Sequence, residues 1–208
     1  LILINPYSFA VPSFSFGAGA TDDTNTDTYT FASQAIGAVA NRSLVVAILG
    51  HKAGGSRSLS GITIGGVSAT TIAARGGSIG GDMWLAYATG VSGTTADVVL
   101  TLDGASARAC CQTFALYNLS STTPSDTAHD DDGSIAIDCP VNGIIIAGSG
   151  RWLSNSTSNI AWTGLTERDQ QTVESANVQS VAADSFLTLQ TNLAISASDQ
   201  EIVAASWR

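Results

Sequence analysis

Short runs of β-branched and aromatic residues alternate with clusters of Gly, Ser, Thr and Asp along the chain, the rhythm of a sandwich or barrel. Two kinds of run are distinguishable. In Asp97-Val-Val-Leu-Thr-Leu102, residues Val98, Leu100 and Leu102 share a face, and in Ser134-Ile-Ala-Ile-Asp138 Ile135 and Ile137 do, as in a sheet with one side buried. By contrast, Leu44-Val-Val-Ala-Ile-Leu49 and Ile144-Ile-Ile-Ala147 are apolar throughout, as central strands covered on both sides are. Further strands are predicted over Thr28 to Ala32, Gly61 to Ile64, Met83 to Thr89, Cys110 to Leu119, Asn159 to Trp162, Val178 to Ala183, Leu187 to Leu193 and Glu201 to Trp207. No window of twelve or more residues sustains a helical stripe, and the best helical candidate is Glu167 to Ala176. The pattern predicts an all-β fold, an antiparallel β-sandwich.

Laying the two all-apolar runs over each other brings out an internal repeat. Ala35-Ile-Gly-Ala-Val-Ala-Asn41 followed by Leu44 to Ala47 matches Ala136-Ile-Asp-Cys-Pro-Val-Asn142 followed by Ile144 to Ala147. Each apolar strand is then followed by a polar loop, a short strand (Ile62 to Ile64, or Ile160 to Trp162), two longer ones, and a closing strand (Thr113 to Tyr117, or Val203 to Trp207). Two such antiparallel sets suit a jelly-roll-like double Greek key. The expected organisation is one sandwich domain over 26–208 with pseudo-repeated halves at about 26–120 and 134–208.

The N-terminal stretch differs. Leu1 to Phe16 is apolar and aromatic, with Tyr7, Phe9, Phe14 and Phe16, and its Pro6 and Pro12 are incompatible with a central strand. Gly17-Ala-Gly-Ala20 and the polar run Thr21 to Thr28 read as a hinge. Residues 1–25 are therefore expected to form an attachment arm, with those four aromatics docking on a neighbouring subunit.

Hydrophobic residues make up 44% of the 208 and charged ones only 12%, which excludes disorder. The longest apolar runs fall well short of the roughly 18 residues of a membrane helix, so no membrane insertion is expected. Seventeen acidic residues against eight basic ones, a net charge of -9, provide no basic face for nucleic acid. Glutamate occurs only at Glu167, Glu174 and Glu201 and lysine only at Lys52; these are common fillers of exposed helix positions, so their scarcity reinforces the β reading. Three cysteines, Cys110, Cys111 and Cys139, are an odd number in a chain large enough to need no staple, which suits a reducing compartment. On a strand Cys110 and Cys111 point to opposite faces, and a bridge from either to Cys139 stays open. Leu1 to Ile4 has neither the basic stretch nor the cleavage pattern of a secretory leader.

No motif names a reaction. Gly76-Gly-Ser78-Ile-Gly80 fits the nucleophile-elbow spacing, with His51 and His129 as conceivable bases, yet that elbow works between a strand and a helix, and here two strands flank it. Asp23, Asn25 and Asp27 alternate like the start of a calcium loop, but Thr28 and Gln34 stand where its glycine and terminal glutamate belong. Asp130, Asp131 and Asp132 form the densest charge, read as an exposed turn; calcium at either place is left open. Neither histidine has a zinc spacing. Trp84 and Trp207 lie in apolar strands and read as core, whereas Trp152, in Gly150-Arg-Trp-Leu-Ser-Asn155, sits in a polar loop and is the candidate binding aromatic. No catalytic residue, metal ligand or cofactor is assigned.

The order of Leu44-Val-Val-Ala-Ile-Leu49, Ile62-Thr-Ile-Gly-Gly-Val67, Met83-Trp-Leu-Ala-Tyr87, Ala96 to Leu102, Phe114-Ala-Leu-Tyr-Asn118, Gly164-Leu-Thr-Glu-Arg168 and Val203 to Arg208 resembles the β-sandwich modules of tailed-bacteriophage virion proteins. Ile4-Asn-Pro-Tyr-Ser-Phe9 is similar to the opening of phage tail or decoration proteins. The resemblance implies a non-enzymatic head decoration, fibre, tail or baseplate protein. Its partners would be other virion proteins, copies of itself and a host surface glycan, and it would assemble in the bacterial cytoplasm. The alternative is a carbohydrate-binding or glycan-degrading sandwich using Trp152.

Overall fold

The computed structural model describes residues 10–51, 56–76, 81–152, 159–173, 177–198 and 201–208, and the side chains of 75, 76, 152 and 177 are outside that description. The first half contains β1 (Ser13–Asp22), β2 (Thr26–Ala35), β3 (Ser43–His51), β4 (Leu59–Ile64), β5 (Val67–Ser68), β6 (Thr70–Gly76), β7 (Gly81–Thr89), β8 (Thr95–Ser106) and β9 (Arg108–Tyr117). The second contains β10 (Asp126–Asp130), β11 (Ser134–Cys139), β12 (Gly143–Trp152), β13 (Trp162–Thr163), β14 (Glu167–Val173), β15 (Asn177–Phe186), β16 (Gln190–Ala197) and β17 (Glu201–Trp207). No helix occurs among the described residues.

The strands form four sheets, in the orders β1-β9-β3-β7-β6, β2-β8-β4-β5, β10-β17-β12-β15-β14 and β11-β16-β13. The repeat is thus written into the topology. β1, β9, β3, β7 and β6 of the first inner sheet correspond in turn to β10, β17, β12, β15 and β14 of the second, and in the outer sheets β2, β8 and β4 correspond to β11, β16 and β13, with no counterpart of β5 among the described residues. All the pairings are antiparallel.

The sandwich reading holds, but the halves do not share a single jelly roll. Each closes a two-sheet sandwich of its own, and the two are stacked through their inner sheets into four layers. Three hydrophobic cores separate those layers. Tyr29, Phe31, Ile48, Trp84 and Leu100 fill the first sandwich. Val45, Ala47, Leu49, Met83, Phe114, Ile144, Ile146, Val203 and Trp207 fill the space between the sandwiches. Ile135, Ile137, Ile145, Ile195 and Ile202 fill the second. The continuous apolar runs are explained directly: Val46 and Ile48 face one core and Val45, Ala47 and Leu49 the next. In β12, Ile144 and Ile146 face the shared core while Ile145 and Ala147 face away from it. Leu44 faces outward where Ile144 faces inward, so the repeat is one residue out of phase with the sequence alignment at this point.

Four local expectations are corrected. Glu167 to Val173 is an edge strand, not a helix, because β14 pairs along β15 from Glu167↔Ala182 to Val173↔Asn177; residues 174–176 lie outside the description. Gly17 to Ala20 is not a hinge but the middle of β1, with the register shifting between Phe16 and Gly19 against β9. Leu187 and Leu189 belong to the turn before β16, 74% and 62% exposed, rather than to a strand. Trp152 ends β12 rather than sitting in a loop.

Candidate functional site

β3 and β12 face each other across the shared core and run in the same direction, since Ala47 abuts Gly148 and Leu49 abuts Gly150. Equivalent loops of the two sandwiches therefore emerge at the same ends of the stack. One end collects charged groups and the other collects exposed aliphatic side chains and cavities.

At the charged end, His51 closes β3, with Gly81 opposite it on one side and Arg108 on the other. His51 is 2% exposed, and burial together with the neighbouring Arg108 pulls its imidazole down to about 4. It is therefore neutral at pH 7. A Cβ placed on Gly81 would stand 4.0 Å from Glu201 Oε2, so a carboxylate of the second sandwich reaches the first. Asp82 and Arg151 are also buried here, and Asp82 Oδ2 accepts the Arg57 backbone N–H at 2.5 Å. The register sets His51 opposite Gly81, the first residue of β7. Ser78 itself lies outside the described residues, but the flanking strands are antiparallel neighbours, which is not the strand-to-helix geometry of a nucleophile elbow. His129 lies elsewhere, on β10 opposite Val203.

Between the two ends, a polar strip crosses the shared core. Gln112 Nε2 and Gln171 Nε2 donate to the same Asp169 Oδ2, at 2.8 and 2.7 Å. Gln179, opposite Gln171 in the β14–β15 ladder, is fully buried, and neither its Oε1 nor its Nε2 has a partner.

The opposite end is formed by residues 10–12, the β2–β3 connection, the β7–β8 turn, the segment after β9, the β11–β12 turn and the β15–β16 turn. The exposed large hydrophobic residues among those described are Val11, Val39, Val141, Leu187 and Leu189, and all of them lie here. A cavity of about 590 Å³ opens among Val11, Pro12, Leu119, Asn142 and Arg208. Another, of about 660 Å³, lies between the β2–β3 connection and the β7–β8 turn, with Arg42 in its wall. Arg42 is 6% exposed. Its Nη1 donates to the Val39 carbonyl at 2.6 Å and its Nη2 to the Gly93 carbonyl at 2.5 Å, while Nε has no partner.

Of the aromatic candidates, Phe14 and Phe16 pack edge-on against Phe114, with ring centroids 6.3 and 5.4 Å away. The Arg168 guanidinium of the second sandwich covers the Phe14 ring at 5.1 Å. These two residues thus line the protein's own core. Tyr7 and Phe9 lie outside the described residues, as does the Trp152 side chain. Trp84 and Trp207 are core residues, as expected, and Trp162 is half-buried with its Nε1 donating to Ser180 Oγ at 2.8 Å.

Asp23 and Asn25 sit in the exposed β1–β2 turn, where Asp22 Oδ1 accepts the Thr24 N–H. Asp130, Asp131 and Asp132 offer oxygens within 4.8 Å of one another at the β10–β11 turn; two of these residues are exposed, and Asp130 Oδ1 accepts the Asp132 N–H. The cysteines are free and buried, Cys110 in the shared core, Cys111 in the first and Cys139 in the third. Burial raises all three thiols, Cys139 to about 11. No helix among the described residues is long and apolar enough to cross a membrane.

Sequence reasoning overlooked Arg42. A lone arginine ahead of an apolar strand reads as solvated, and nothing local shows that two loops fold over it. No family model matches the chain, and no match to it exists among curated proteins or solved structures.

Proposed function

We propose that this protein is a non-enzymatic structural component of a bacteriophage virion, of the head decoration, fibre, tail or baseplate kind, assembled in the host cytoplasm and docked by its aliphatic end onto a second copy of itself. The observation that carries the reading is the gathering of Val11, Val39, Val141, Leu187 and Leu189 at one end of the stack, 44% to 74% exposed. Residue 10, through which the apolar N-terminal residues join the domain, is at that same end. Scattered single apolar residues need no explanation, whereas a patch of them marks an interaction surface. The resemblance to virion sandwich modules and the buried free thiols, which suit assembly in a reducing compartment, support the same reading.

Light scattering of the full chain across a concentration series tests it. The wild type is expected to self-associate, and Leu187→Asp/Leu189→Asp to shift it to monomer with an unchanged melting temperature, since both side chains are exposed. A wild type that stays monomeric over the series, or a variant that associates equally well, overturns the docking surface.

A further inference from the structure

We propose that the cavity between the β2–β3 connection and the β7–β8 turn binds a sugar acid, whose carboxylate pairs with Arg42. A guanidinium taken out of water costs several kcal/mol unless a counter-charge and hydrogen bonds replace the lost hydration. Arg42 is 94% buried by its 6% residual exposure, yet its protein partners are two neutral carbonyls, those of Val39 and Gly93. Seventeen acidic residues exist in the chain, and no described one forms an ion pair with it. Elsewhere the fold does match an arginine with a carboxylate: Arg168 Nη2 lies 2.9 Å from Asp184 Oδ1 at the surface.

The cavity around Arg42 has the chemistry of a sugar site. Its volume, about 660 Å³, falls among small-ligand sites. Asn41, Ser43, Thr89, Thr94 and Thr122 are among its lining residues, and their side chains carry hydroxyls and an amide, groups that both donate and accept as a sugar's ring hydroxyls require. One cation matches one carboxylate, and the planar guanidinium fork suits that group's geometry. The walls are shaped in advance by left-handed backbone at Asn41 (φ 59), Gly90 (φ 76) and Gly93 (φ 87), and both carbonyl bonds fix the guanidinium between the two loops. Preorganisation of this kind lowers the ordering cost of binding. The inference does not rest on the docking surface: although Val39 of that surface adjoins the site through its carbonyl, the test of docking alters only Leu187 and Leu189 on the second sandwich, and the test of this site leaves both unchanged.

Calorimetric titration of the full chain with glucuronate, N-acetylneuraminate, glucose and acetate tests the proposal. Saturable binding of a sugar acid is expected, with glucose and acetate each roughly tenfold weaker or more, the loss of one charge-assisted contact or of the hydroxyl contacts. Arg42→Gln should abolish it. Because that change also removes a loop clamp, Thr89→Val serves beside it: its side chain is exposed and takes no part in the clamp, so it should keep the wild-type melting temperature and weaken sugar-acid binding. Failure of both sugar acids to bind, binding that is indifferent to Arg42→Gln, or acetate binding as tightly as the sugar acids would each overturn the assignment. None of these outcomes bears on the oligomeric state read by light scattering.

Discussion

His51 shows how one buried side chain makes stability depend on pH. Its folded pKa of about 4 lies below the ordinary 6.5, so between those values the unfolded chain binds the proton and the folded one does not. The contribution of the neutral imidazole is fully present above pH 6.5 and is lost as pH falls to about 4, on the order of 3 kcal/mol in all. Urea unfolding at pH 7 and pH 4 should therefore show a smaller drop in His51→Gln than in the wild type; equal drops would assign the pH dependence to other groups. Gln179 is the opposite case, a buried amide that the fold leaves without a protein partner. Gln179→Met removes that desolvated amide at similar volume and is expected to stabilise by about 1 kcal/mol, read as a higher urea midpoint at constant m. Gly164 is bound by geometry. With φ at +87 and a would-be Cβ 2.5 Å from the Ala194 carbonyl oxygen, it has no room for a side chain. Gly164→Ala should cost about 2 kcal/mol or more, whereas Gly61→Ala, with nothing within 4 Å, should change stability by only a few tenths.

At the scale of the element, β1 decides where the domain begins. Pro6 and Pro12 do keep the N-terminal run out of a central strand, but an edge strand starting one residue after Pro12 satisfies the same constraint. Phe14 and Phe16 seal the shared core against Phe114, and Arg168 of β14 lies over Phe14. Removing residues 1–9 should leave the melting temperature unchanged and test their role in association alone. Removing 1–22 should lower it by several degrees and promote aggregation, because it uncovers Phe114 and the free edge of β9; an unchanged melting temperature for the longer deletion would restore the arm reading. β14 teaches a related lesson. Its Glu-Arg-Asp-Gln-Gln composition favours a helix locally, but the unpaired edge of β15 offers a full ladder of backbone partners, and tertiary context overrides propensity.

At the scale of the molecule, the sandwiches relate to each other as a dimer's subunits do. β1 packs on β14 and, reciprocally, β6 packs on β10, and β14 is the counterpart of β6 as β10 is of β1. Such a reciprocal interface is isologous. The core between the sandwiches is built from both halves and includes the largest fully buried side chain, Trp207. Neither inner sheet could expose that face alone. The halves should therefore unfold together: far-ultraviolet circular dichroism and tryptophan fluorescence, which reports Trp84 in the first sandwich as well as Trp207, should give superimposable urea curves. Two separated transitions would show that the halves are independent domains.

The sequence by itself determined the all-β class and the central strands of both halves, because period-two alternation and continuous apolar runs are local records of which faces are buried, but it missed the edge strands β1, β6, β10 and β14. It also settled that Cys110 and Cys111 point to opposite faces and that Trp84 and Trp207 are core. Only the tertiary structure decided what covers the second face of β3 and β12. An all-apolar strand requires a layer on each side but does not say whether its own half or the other supplies it. The same holds for Arg42 and for the aliphatic end. Their neighbours come from loops some fifty residues away or from the other sandwich, as with Gly93 beside Arg42 and Arg208, whose carbonyl accepts from Ser120. Burial and charge compensation are sums over such distant neighbours, and no window of sequence contains them.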